Sequence, residues 1–91
     1  MIELMIEERA RVFDALSDPT RLRIVELVRG RELANHEIAE SLGISPALAC
    51  HHLKQLAESG LLTPRRSGQS KLYRLNQPVL EQHCRSLIEG R

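Results

Sequence analysis

Aromatic residues are nearly missing from this chain: Phe13 and Tyr73 make up 2% of its 91 residues, and there is no tryptophan. A core must therefore be assembled from Leu, Ile, Val and Ala. Cysteine is scarce too, and Cys50 and Cys84 are too few for a disulfide framework. No apolar run extends beyond a few residues, so nothing matches a membrane span. The opening "MIELMIEERA" carries acidic residues where a secretory signal would have a basic region before an apolar stretch. These absences lead to the expectation of a cytoplasmic protein with no membrane partner. At this length residues 1–91 are expected to form a single domain. So small a domain buries a modest share of its unfolded surface, so support from a second subunit is unsurprising. A charged fraction of 27% with 42% apolar residues excludes a disordered chain.

Charge of one sign is not lacking, but it is segregated. Residues 1–44 carry nine Asp/Glu against six Lys/Arg, a balance of −3. Residues 45–75 carry Lys54, Arg65, Arg66, Lys71 and Arg74 against Glu58 alone, a balance of +4. A basic segment of this kind suits a polyanionic partner.

The apolar spacing predicts helices over residues 5–16, 19–29, 34–42, 45–59 and 77–89, with a β-hairpin over 61–75. In "SDPTRLRIVELVRG", Asp18 is an N-cap, Pro19 a first helical residue and Gly30 a stop. Leu22, Ile24, Val25, Leu27 and Val28 are expected to bury a wide face there. Ser45 caps the fourth helix, Pro46 opens it, and Ala49, Leu53 and Leu56 recur at helical spacing on its inner side. Two short helices thus meet through "LGIS", the arrangement of a helix-turn-helix. Gly68 supplies the turn of "LLTPRRSGQSKLYRL", and Pro64 confines the first strand to an edge. The last helix carries Leu80, Cys84, Leu87 and Ile88 as one apolar stripe. The expected fold is mainly α with a small β-hairpin, in the order α-α-α-α-β-β-α: a winged helix-turn-helix.

Cys50, His51 and His52 look like metal ligands, yet successive helical residues point about 100° apart and cannot converge on one ion. A zinc pair on a helix needs His or Cys at i and i+4, and none of the histidines and cysteines has that spacing. A nucleophilic Cys50 fares no better, because His51 points elsewhere and no substrate pocket is signalled. No catalytic residues, metal ligands or cofactors are expected. With Ala49, Leu53 and Leu56 inward, the outer face holds Ser45, Pro46, Ala47, Leu48, Cys50, His51, Lys54 and Gln55. Small residues at 47 and 50 let a helix sit deep in a major groove. Leu48 suits a thymine methyl, His51 and Gln55 suit base edges, and Lys54 suits phosphate. His52 lies between the two faces and is expected to pack. Arg65, Arg66, Gln69 and Lys71 then form a wing along the phosphate backbone.

The motifs "LSDPTRLRIVELV", "EIAESLGIS", "SPALACHHLKQLAESGLL" and "RRSGQSKLYRL" together resemble the ArsR/SmtB family of bacterial winged-helix repressors, over roughly residues 10–76. The resemblance implies a homodimer paired through the first and last helices, binding double-stranded DNA at a palindromic operator until an inducer releases it. Met5, Phe13, Leu80, Cys84, Leu87 and Ile88 would lie at that dimer interface. Two metal sites of the family have no counterpart. Its E-L-C-x-C-D-L motif is "ELANHEI" here, with Ala34 and His36 at the thiolate positions. Asn76 and Pro78 replace the D-x-H pair of the last helix, and residues 88–91 offer no histidine. Cys50 on the outer face and Cys84 on the last helix remain as thiol sensors. The competing expectation is a winged-helix module that docks another protein through the 45–59 face.

Overall fold

The computed structural model describes residues 2–89, and side chains over residues 5–89. Five helices and three short strands follow one another: α1 (Ile2–Ala15), α2 (Pro19–Leu27), β1 (Leu33–Ala34), α3 (Asn35–Leu42), α4 (Pro46–Glu58), β2 (Leu62–Ser67), β3 (Ser70–Leu75) and α5 (Gln77–Glu89). The winged helix-turn-helix is present, with one element more than the sequence pattern contains. Leu33 and Ala34 pair antiparallel with Tyr73 and Leu72, so the hairpin becomes a three-stranded sheet of order β1-β3-β2. Two residues have no readable period, and β1 exists because β3 offers a free backbone edge. The helix expected from residue 34 accordingly begins at Asn35.

The helix ends follow local chemistry. Asp18 accepts the Arg21 N–H at 3.1 Å, with Pro19 at the first helical position. At the end of α3, Gly43 adopts a left-handed φ of 66° and the Ile44 N–H reaches back to the Ala39 carbonyl. That six-residue closure needs a residue without a Cβ penalty at its corner.

Val12, Ile24, Val28, Ile38, Leu53, Leu56 and Leu61 are fully buried and form one cluster with Ala15, Val25, Leu33, Leu62 and Tyr73. Each such aliphatic side chain contributes roughly 1.5–3 kcal/mol relative to exposure. Tyr73, from β3, is the aromatic member of the cluster.

Two expectations about faces require correction. Leu22, expected in the core, is 45% exposed. It lies more than a quarter turn from the direction shared by Ile24, Val25 and Val28, so that stripe is narrower than the apolar content of α2. In α5 the apolar stripe divides. His83 is buried and Val79 and Leu80 are partly buried, while Leu87 and Ile88 stand 62% and 84% exposed. Among the described residues, no helix is long and apolar enough to cross a membrane.

Candidate nucleic-acid interface

Helix α4 is held by its inner face and displays its outer one. Ser45 Oγ accepts the Leu48 N–H at 3.1 Å, and Pro46 occupies the first helical position. Together they start the helix at a fixed point after the α3 corner. Ala49, His52, Leu53 and Leu56 are buried. Ser45, Pro46, Ala47, Leu48, Cys50, His51, Lys54 and Gln55 are all exposed, on the side expected from the sequence. Leu48 is 44% exposed, an apolar side chain facing water between small neighbours.

His52 packs, as its position between the faces implied. It is 9% exposed, its ring meets that of His51 edge-on at 5.6 Å, and its Nδ1 has no hydrogen-bond partner. Asp18 stands close enough for a His52 charge to act on it. The Arg21 backbone N–H is the main cause holding the Asp18 carboxyl below its usual range. Burial opposes that shift, and the charge a protonated His52 would carry, with that of Arg21, adds to it.

Gln55 is not a free side chain. Its Oε1 accepts from Arg21 Nη1 at 2.6 Å. Arg21 also donates through Nε to the Ala15 carbonyl at 2.6 Å and through Nη2 to the Asp14 carbonyl at 3.2 Å. Nothing in the sequence marks Arg21, because its partners lie in other helices.

The wing is built on β2 and β3, whose register runs from Leu62–Leu75 to Ser67–Ser70. Pro64 sits on the edge strand, as its missing N–H requires. Gly68 turns the chain with a φ of 62°, and Gln69 is exposed beside it. Arg66 lies directly opposite Lys71. Like charges in facing positions destabilise a strand pair, so this pairing opposes folding and suits an external anion. Among the described residues neither has an ion-pair partner. Arg65 differs: it makes a bidentate ion pair with Glu32, which sits just before β1.

Both cysteines are free, Cys50 exposed and Cys84 partly buried. The Tyr73 phenol is pushed up, first by burial and then by the charge that a Cys50 thiolate would carry. Among the described residues, no group of His, Cys, Asp and Glu is arranged to hold a metal ion.

A basic hairpin beside a helix with a buried inner and an open outer face defines a winged helix-turn-helix domain. Residues 18–63 match the model of the "Bacterial regulatory protein, arsR family". The chain is 40% identical over 70 residues to the transcriptional repressor SdpR of Bacillus subtilis, covering 77% of this chain and 78% of that one. It is 33% identical over 75 residues to the arsenical resistance operon repressor of Staphylococcus xylosus, covering 82% and 72%. Among solved structures, the ArsR-like transcriptional regulator from Rhodococcus sp. RHA1 superposes with a TM-score of 0.86 at 29% identity, over 93% of this chain and 80% of that one. The homodimeric winged helix-turn-helix DNA-binding domain of Mb0332 from Mycobacterium bovis gives 0.82 at 28% identity, over 97% and 82%. The chain belongs to the arsR family. Members of that family are transcriptional regulators and not enzymes.

Proposed function

We propose that this chain is a homodimeric repressor that binds a palindromic operator in double-stranded DNA and is released by an inducer. One observation carries the reading: α4 is buried along Ala49, Leu53 and Leu56 and open along Ala47, Leu48, Cys50, His51 and Lys54. The Arg66–Lys71 pair of the wing supports it from a second element. The repressors among the relatives and the homodimer of Mb0332 support the same assembly here. So do the exposed Met5, Leu87 and Ile88, with the partly buried Phe13, Leu80 and Cys84 beside them.

In a two-fold dimer the two α4 helices enter successive major grooves about 34 Å apart. His51 and Leu48 read base edges, and Lys54, Arg66 and Lys71 hold phosphates. The inducer acts on a thiol. Cys50 stands on the reading face, where oxidation adds bulk and polarity against the bases, and Cys84 stands near the pairing face.

Titration against its own upstream DNA at several salt concentrations tests the reading. Sequence preference with steep salt dependence is the expected result. Equal affinity for random duplex at low salt would falsify it. Repeating the titration with reductant, oxidant and thiophilic metals tests the inducer, and an operator affinity that never changes sinks the thiol assignment.

A further inference from the structure

Arg21 joins three helices through one guanidinium. It belongs to α2, its Nε and Nη2 donate to the Ala15 and Asp14 carbonyls at the end of α1, and its Nη1 donates to Gln55 in the third turn of α4. The carbonyls that close a helix lack partners within it and favour a cation. Arg21 therefore has a reason to sit at the α1 end that is independent of Gln55. Guanidinium is a donor only, so the atom facing it must be the amide oxygen of Gln55, and the orientation of that amide is fixed.

The link adds a polar tie to a shared core, in which Val12 and Ala15 of α1 are buried with Leu53 and Leu56 of α4. Helix α1 packs on α5, and α4 packs on α2, α3 and β2. Between the α1 end and α4 lies a half-open cavity of about 190 Å³, lined by Ala15 as well as by polar and charged residues that include Asp14, Arg21, Gln55 and Glu58. Arg21 spans that mixed polar and apolar rim with a rigid planar fork.

We infer that Arg21 is a positioning residue that fixes the angle of the reading helix α4 relative to α1, and so sets the spacing between the two half-sites a dimer accepts. Gln55 is its acceptor on α4 and not a reader of bases. This rests on the dimeric operator reading, since α1 sets half-site spacing only where it helps to pair the subunits.

The experiment measures operator affinity for R21M, Q55L and the double variant on duplexes whose half-sites are moved apart or together one base pair at a time. Wild type is expected to favour one spacing. R21M, which removes all three donated bonds, is expected to bind that spacing at least roughly tenfold more weakly, a single charge-assisted hydrogen bond being worth about that much, and to discriminate less among spacings. Q55L is expected to show the same flattening, and the double variant no further loss. Q55L keeps the Arg21–α1 bonds and so tests the link even where R21M fails to fold.

Either single variant retaining the wild-type spacing profile overturns the inference. So does a Q55L protein that loses discrimination at one base pair while keeping its spacing preference, since Gln55 would then be a reader. A salt dependence flattened in R21M by about one phosphate contact also overturns it, because Arg21 would be touching DNA. Wild type indifferent to spacing sinks the dimeric operator instead, and hydrogen exchange of free protein then decides the clamp. Faster exchange in the last turn of α4 in Q55L supports it; unchanged exchange overturns it.

Discussion

Arg65 grips Glu32 with two parallel hydrogen bonds, Nε to Oε2 at 2.7 Å and Nη2 to Oε1 at 2.9 Å. The pair crosses 33 residues of sequence and ties the wing to the segment before β1. One of the basic side chains expected on phosphate is thus already engaged by a carboxylate. The Glu32 carboxyl is held below its ordinary value, first by the Arg65 hydrogen bond and then, against an opposing burial effect, by the charges of Arg65 and Arg74. A depressed carboxyl contributes stability that is full above the ordinary value and is lost as pH falls through the lowered one. Thermal unfolding of wild type and E32Q from about pH 6 to about pH 3 is expected to show a difference that shrinks on acidification. A difference that grows would contradict the pairing.

Releasing Arg65 has a second consequence. E32Q frees a guanidinium beside the wing, so the salt dependence of DNA binding is expected to steepen by about one phosphate contact per subunit, roughly 0.9 in the logarithmic slope. A slope equal to that of wild type would mean that Arg65 meets phosphate despite Glu32.

Arg66 and Lys71 face each other across the strand pair without carboxylate partners among the described residues. R66A and K71A are expected to weaken binding evenly across DNA sequences and to flatten the salt slope by roughly 0.9 for each phosphate left without its cation. Their thermal stability is expected to be equal to wild type or slightly higher, because a like-charge pair is removed.

His51 is exposed on the open face of α4, whereas its neighbour His52 is buried. H51A is expected to lose about 1–3 kcal/mol of discrimination at one base pair of the half-site, with the salt slope unchanged. Competition against a set of single-base-pair operator variants measures this. A uniform loss over all variants would assign His51 to the backbone.

Among the described residues, Leu87 and Ile88 are the most exposed large apolar side chains, both in the last turns of α5. L87E and I88E are expected to give folded monomers in sedimentation analysis, with operator affinity lost because half-sites are no longer bound together. A dimer that survives both changes would place the pairing surface elsewhere.

Leu56 is completely buried between α4 and the rest of the core. L56A is expected to cost about 2–5 kcal/mol of unfolding free energy by denaturant titration. S45A removes only a helix cap and is expected to cost about 1 kcal/mol. A cost below that for L56A would mean that the α4 side of the core collapses around the gap.

Sequence alone determined whatever rests on contacts a few residues long. Asp18–Pro19 and Ser45–Pro46 start their helices through side chains that reach N–H groups three residues on. Gly43 and Gly68 mark corners because only a residue without Cβ enters left-handed φ cheaply. The spacing of Ala49, Leu53 and Leu56 fixed which face of α4 turns inward, and therefore which face is offered. It also dissolved the apparent Cys50-His51-His52 cluster.

Tertiary structure decided the rest. Strand β1 has no pattern of its own and exists through pairing with residues almost forty positions later. Leu22 and His83 exchanged the places their chemistry suggests, because packing neighbours, and not apolarity, choose the direction of a helix. The side chains of Arg21 and Gln55, and of Arg65 and Glu32, lie 34 and 33 residues apart. Any arginine in the chain carries the same charge and reach on paper. Only the closed fold brings one guanidinium to the end of α1 and to Gln55 of α4, and another to Glu32, and so separates the basic side chains already engaged within the chain from those left open.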